Sequence, residues 1–351
     1  MQIEEILKKT AQLEASDVFL ISGRPISYKV QGRICTLDDE KLMPTVLDQY
    51  IKEIYELASN RDEEALLRTG DDDFSFAIRG LARFRVSTFK QRGSLAAVIR
   101  IIAFQLPDAL ELGIPEQIVR MGDYGRGMVL VTGAAGSGKS TTLACVIDYI
   151  NHTQEKHIIT LEDPLEFLHR HDRSIVTQRE ISSDTTSYLR ALRATMRQSP
   201  DVILLGEMRD YETIQVAMTG AETGHLIFST LHTMGAANTI DRIIDVFPAN
   251  QQRQIAVQLS MVLQAVVSQQ LVPGTDGKMI PVFEIMTVNP AIRNMIRENK
   301  SYQIEGLLYS SASSAMMSND SCLLQLYRQG RVDKKVALAH ATNPDMLERR
   351  M

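Results

Sequence analysis

The sequence predicts an α/β protein in two parts: a smaller α+β domain on an antiparallel sheet, then a nucleotide-binding domain on a parallel sheet. Three observations predict this. Residues Gly133-Ala-Ala-Gly-Ser-Gly-Lys-Ser140 match the phosphate-binding pattern G-x-x-x-x-G-K-[ST] at every fixed position. From about residue 118 onward, apolar runs of strand length alternate with helical segments, as in a parallel sheet covered on both faces. Before residue 103, short glycine turns separate the strands instead, which is the grammar of hairpins.

At 351 residues, 44% hydrophobic and 23% charged, the chain has enough apolar material for two cores. A net charge of −5 argues against a mainly electrostatic nucleic-acid binder, so neither DNA nor RNA is expected as a partner. The three cysteines, Cys35, Cys145 and Cys322, lie far apart and show neither metal spacing nor a disulfide framework. A reducing cytoplasm is the compartment this suggests. No signal-peptide core and no 18-residue apolar run is found, so membrane contact is expected to be peripheral.

Ile3, Ile6, Leu7, Thr10 and Leu13 recur at helical spacing, so residues 2–14 are read as an amphipathic helix. Val18–Ser22, Ile26–Val30 and Arg33–Leu37 follow as strands, with turns at Gly23-Arg-Pro25 and Gln31-Gly32. One helical stretch is predicted over Pro44–Leu67. The acidic triplet Asp71-Asp-Asp73 is read as a solvated loop. Strands return at Phe74–Ile78, Leu81–Phe89 and Leu95–Ile102, which closes a first domain over 1–102. A linker over 103–117, with Pro107, Gly113 and Pro115, leads to a second domain over 118–351.

In that second domain Met128–Thr132 reads as a buried strand feeding the glycine loop, and a helix runs from Ser140 to about Asn151. Strands follow at His157–Leu161, Val202–Leu205 and His225–Ser229. Helices are predicted at about Thr186–Arg197, Tyr211–Thr219, Ala249–Gln269, Pro290–Asn299 and Ser321–Gly330, with a hairpin around Gly274-Thr-Asp-Gly277. Ser310–Ser314 reads as a short polar link. No internal repeat is present.

The glycine loop carries the chemistry. Backbone N–H groups of Gly133, Ala134, Ala135, Gly136, Ser137, Gly138, Lys139, Ser140 and Thr141 can close around phosphate oxygens at a helix N-terminus. Lys139 would reach the β- and γ-phosphates of ATP, and Ser140 would ligate Mg²⁺. Ligands of open α/β sheets lie at the carboxyl ends of strands. Glu207 follows Asp201-Val-Ile-Leu-Leu-Gly206 and would polarise a water; Asp201 is at the other end. Glu162 follows the strand His157–Leu161 and would order water around Mg²⁺. His225 and His232 bracket an apolar strand, each free to meet a phosphate or a subunit boundary. His169-x-His171 is read as surface loop.

Together the segments 133–142, 159–167, 201–210 and 223–233 resemble the Walker A, Asp-box, Walker B and His-box of the type II/IV secretion ATPases. Ala291-Ile-Arg-Asn-Met-Ile-Arg-Glu298 resembles a motif of the branch that retracts type IV pili, with Met295 where Leu is usual. The resemblance implies a PAS-like N-terminal domain, a RecA-like ATPase domain, and a homohexameric ring with ATP at subunit interfaces. It implies that N-terminal arginines reach ATP, with Arg85 and Arg100 as candidates. Glu207, Glu162, His232 and His225 would be catalytic, and Ser140, Glu162 and Glu207 would hold Mg²⁺, partly through water. The expected role is a cytoplasmic motor for pilus retraction at the inner face of the cytoplasmic membrane, beside a pilus platform protein. A type II secretion or pilus-extension ATPase, and more remotely a nucleic-acid translocase, are the alternatives. Extension relatives often carry a four-cysteine zinc insert, and no Cys lies between Cys145 and Cys322. The last twenty or so residues match nothing in the family pattern.

Overall fold

The computed structural model describes residues 2–30, 32–102, 106, 108–181, 183–310 and 315–351. Parts of three expected features lie outside them: Gln31 of the turn Gln31-Gly32, residues 103–105 and 107 of the linker, and 311–314 of the polar link. The chain divides into two compact units, Met1–Leu106 with Glu166–Leu168, and Pro107–Leu165 with His169–Met351.

The first unit holds an antiparallel six-stranded sheet: β1 (Asp17–Leu20), β2 (Pro25–Val30), β3 (Arg33–Lys41), β4 (Asp71–Ile78), β5 (Ala82–Gln91) and β6 (Ser94–Ile102), in the order β3-β2-β1-β6-β5-β4. Strand side chains alternate between faces. Val18, Leu20, Phe84, Val86 and Ile99 therefore share one face and bury it against helices Ile3–Gln12 and Pro44–Leu57, through Ile6, Leu7, Leu47, Ile51 and Ile54.

Two expectations fail in this unit. The helix from Pro44 stops at Leu57, because Ser59 and Asn60 adopt φ of 61° and 54°, outside the helical range; a separate short helix covers Glu64–Thr69. The acidic triplet is not a loop but the start of β4. Asp72 points inward, where Arg61 Nη2 and Nε donate to its two oxygens at 2.9 and 3.0 Å and Tyr55 Oη donates at 2.9 Å. That pairing is what permits a carboxylate in the core.

The second unit carries a seven-stranded sheet: β7 (Gly127–Thr132), β8 (His157–Glu162), β9 (Ile175–Glu180), β10 (Val202–Leu205), β11 (Leu226–Leu231), β12 (Leu263–Pro273) and β13 (Met279–Thr287). Their order is β13-β12-β7-β11-β10-β8-β9, parallel except for the β12–β13 hairpin. Residues along each central strand alternate between two cores. Met128, Leu130, Ile159, Leu161, Ile203, Leu205 and Ile227 face one layer of helices, and Val129, Val131, Ile158, Val202, Leu204, Leu226 and Phe228 face the other. Burial on both faces explains why these strands read as continuous apolar runs.

The predicted helix Ala249–Gln269 is corrected: it ends at Val262, and β12 begins at Leu263. The chain's last residues are structured. Helices Asn319–Arg328, Lys334–Ala339 and Pro344–Glu348 contribute Leu323, Leu326, Ala337 and Leu347 to a small core with Val272, Ile280 and Val282 of the β12–β13 hairpin. No described helix is long and apolar enough to cross a membrane.

Candidate functional site

The sheet order decides which motifs meet. β7 ends at Thr132 and passes into the glycine loop, β11 leads to His232, β10 leads to Glu207, and β8 ends on Glu162. These four strands are consecutive neighbours and parallel, so all four features line one edge of the sheet. With strands about 4.8 Å apart, Glu207 lies two strands and Glu162 three strands from the loop's own strand.

The loop is shaped by its glycines and by one residue of β12. Gly133 has φ of 143°, and a Cβ there would fall 2.1 Å from the backbone oxygen of Gln269. Gly138 has φ of 88°, with the Gln269 side-chain amide 2.8 Å from where its Cβ would be. The Gln269 Oε1 in turn accepts a 2.7 Å hydrogen bond from the buried Thr142 hydroxyl, in the helix Lys139–Thr153 that the loop opens into. Gln269 thus braces both ends of the loop. Sequence reasoning missed it, because the helical period of the preceding residues ran through it; no local signal marks it. Lys139 is buried, and its Nζ donates to the carbonyls of Gly133 and Ala134 at 2.9 and 2.8 Å. The Ser137 hydroxyl oxygen is buried with no hydrogen-bond partner.

Glu207 is the second pole. Its side chain is 14% exposed, while Arg209, whose Nη2 donates to Glu207 Oε1 at 2.7 Å, is 75% exposed. The arginine is therefore held by solvent as much as by the pair. Glu207 Oε2 is buried and receives no hydrogen bond; His232 Nε2 lies 3.5 Å from it, long for a hydrogen bond. Glu162 Oε1 accepts from Thr160 Oγ1 at 2.7 Å, which fixes the carboxylate at the end of β8.

The two histidines part company. His232 joins the edge. His225 precedes β11, where its backbone oxygen accepts from Gly127 at the start of β7, so it stands at the opposite end of the sheet. A six-residue strand spans about 20 Å, which removes His225 from the loop's edge within this unit. Its Nδ1 lies 2.9 Å from the Gly220 carbonyl. His169 corrects the surface-loop reading: its side chain is only 2% exposed, and burial pulls its pKa down to about 4. Asp201 caps the amino end of its sheet, accepting from the His157 N–H at 2.8 Å.

In the first unit Arg85 and Arg100 are directly opposite each other on β5 and β6, on the face away from the core. Like charges in register oppose pairing. Asp17, opposite Arg100 on its other side, relieves this, with an oxygen 3.2 Å from Arg100 Nε. Two arginines side by side on an exposed sheet face suit a polyanion.

The residues fit a nucleotide: a glycine loop too close to β12 for side chains, a buried lysine beside it, an orphaned buried hydroxyl in it, and an acid with an open acceptor across the edge. Among the described residues no group of three or more His, Cys, Asp or Glu is arranged to hold a metal alone.

The family model for the type II/IV secretion system protein matches residues 1–280, which include every one of these groups. The chain belongs to the type II/IV secretion system protein family. Within that family it is 43% identical over 345 residues to the type IV pilus retraction ATPase PilT of Pseudomonas aeruginosa, covering 98% of this chain and 99% of that one. It is 48% identical to a twitching motility protein of Neisseria gonorrhoeae over 276 residues, 78% of this chain and 74% of the relative. A crystal structure of the pilus retraction motor PilT with bound ADP superposes with a TM-score of 0.91, at 43% identity and 99% coverage of both chains. The Legionella pneumophila ATPase DotB superposes with a TM-score of 0.76 at 26% identity, over 96% of this chain and 95% of that one. The fold is that of the secretion ATPases, as the resemblance of the four motif segments implied.

Proposed function

We propose that this chain is a homohexameric motor that hydrolyses ATP to drive the retraction of type IV pili. The observation that carries the reading is the row of glycine loop, His232, Glu207 and Glu162 along one sheet edge, in a chain similar to PilT from end to end. Lys139 and the loop N–H groups bind the phosphates, and Lys139 exchanges its loop carbonyls for phosphate oxygens. Ser140, with Glu162 and Glu207, would hold Mg²⁺, which would draw charge off the phosphate oxygens. Glu207 offers its open buried oxygen to the attacking water, and His232 holds that carboxylate in place. The buried setting strengthens each of these contacts. Arg85 and Arg100, presented on a separate unit, supply cations to the nucleotide of a neighbouring subunit. The protein works on the cytoplasmic side of the membrane, against a pilus platform protein.

Glu207→Gln keeps the shape and removes the base, so the variant binds ATP while turnover falls at least a hundredfold; undiminished hydrolysis would remove Glu207 from the mechanism. A deletion strain scored for pilus number tests the biological role. Excess pili that do not retract support the motor proposed here. Loss of pili points to the second reading, an extension or secretion ATPase, which the type II/IV secretion family model keeps in view.

A further inference from the structure

We propose that the phenol of Tyr188 is a positioning residue of the hydrolytic edge, a protonated donor that orients water between Glu162 and Glu207. The inference rests on the ATPase reading above and names a group that none of the family boxes contains. Tyr188 is the first residue of the helix Tyr188–Thr195, whose N-terminus is fixed by Ser187, its hydroxyl accepting from the Arg190 N–H at 3.3 Å. The ring packs against the core layer beneath β8 and β10. Two anchors therefore hold the side chain, and its hydroxyl cannot wander.

The hydroxyl ends in a gap made by a glycine. Gly206, between β10 and Glu207, has no side chain; a Cβ there would fall 2.9 Å from Tyr188 Oη, 3.1 Å from the Leu161 carbonyl and 3.4 Å from Glu162 Cα. Gly206 has no positive φ, so its backbone does not call for glycine. What calls for it is the approach of the phenol between the ends of the two strands that carry the two acids. Burial, and after it the carboxylates of Asp163, Glu207 and Glu162, push the phenol's ionisation above the ordinary range. The phenol can donate to a water that either acid accepts from, and the cation Arg209 also acts on it.

A donor of this kind contributes through the carboxylates and their water, not by holding nucleotide. Tyr188→Phe keeps the ring and removes only the hydroxyl. With wild type and Glu207→Gln measured alongside, the ATPase reading is judged first: a wild type without activity overturns that reading, not this one. Given an active wild type, Tyr188→Phe lowers kcat about tenfold, with KM for ATP and affinity for ADP within twofold. A kcat within twofold of wild type overturns the inference. So does a loss of ADP affinity or of melting temperature in step with kcat, the mark of a merely structural role. A second measurement uses Gly206→Ala, which displaces the phenol. It lowers kcat in the wild-type background and by clearly less in the Tyr188→Phe background; equal effects in both also overturn the inference.

Discussion

Gly133→Ala isolates the contact between the phosphate loop and β12. The new Cβ would sit 2.1 Å from the Gln269 backbone oxygen, more than an ångström inside van der Waals contact, and 2.7 Å from Ser137 Oγ. The first neighbour is main chain of a central strand, paired on both sides, and cannot swing away as a side chain would. Overpacking of this kind costs about 1–3 kcal/mol. The φ of 143° adds about 1–2 kcal/mol for any residue with a Cβ. The sum, about 2–5 kcal/mol, is a large share of the 5–15 kcal/mol typical of a folded protein. Gly136→Ala serves as the internal control: nothing lies within 4 Å of its Cβ, and only its φ of 76° matters, about 1–2 kcal/mol. Urea unfolding measures both, and titration with ADP reports loop shape. The expectation is that Gly133→Ala unfolds at distinctly lower urea and no longer binds ADP, while Gly136→Ala does so much less. Equal shifts, or a Gly133→Ala protein with wild-type ADP affinity, would refute the idea that β12 sets the loop.

Other outcomes follow from groups already described. Arg293 Nη1 donates to the carbonyls of Ser260 and Met261 at 2.5 and 2.9 Å, closing the C-terminus of the helix Ala249–Val262; Arg293→Ala should cost about 1–2 kcal/mol in urea unfolding. Arg297, exposed on the helix Pro290–Arg297 that also carries Arg293, should be replaceable by alanine without loss of ATPase rate or stability, while twitching motility is abolished. Asp72→Asn should destabilise the first unit by about 2 kcal/mol in chemical denaturation, since it weakens the Arg61 fork and the Tyr55 hydrogen bond in a buried site. His169 is held neutral by burial, with a pKa of about 4 in the fold against about 6.5 unfolded, so the unfolded chain binds the proton first. Its contribution is complete above about pH 6.5 and declines as pH falls towards 4, by about 3 kcal/mol in all. His169→Phe should flatten that segment of the stability profile; an unchanged slope would mean that another group governs it.

What could be read from sequence was local or periodic. The glycine loop is eight contiguous residues, and the apolar strands declare themselves by composition. The edge on which Glu162 and Glu207 meet the glycine loop was legible too, because strand ends in a parallel sheet all point one way. The failures have a common cause. Val262, Leu263, Val266 and Val267 satisfy a helical period as well as a doubly buried strand, and only pairing with β7 decides between them. Asp72 read as solvent-facing because its partner, Arg61, is eleven residues away across a short helix. His169 gives no local sign of burial. His225 and His232 are equivalent on paper, and only strand direction places one near the loop. Tyr188 and Gln269 act across the fold, where spacing is silent.

β12 has a mechanical consequence. Its eleven residues extend for about 36 Å. One end continues from the helix that Arg293 closes, the middle presses on the phosphate loop through Gln269, and the far end is buried with the C-terminal helices. It is a tie-rod: one continuous strand joins the residue that shapes the loop to the helix end that Arg293 closes and to the core that holds the tail of the chain.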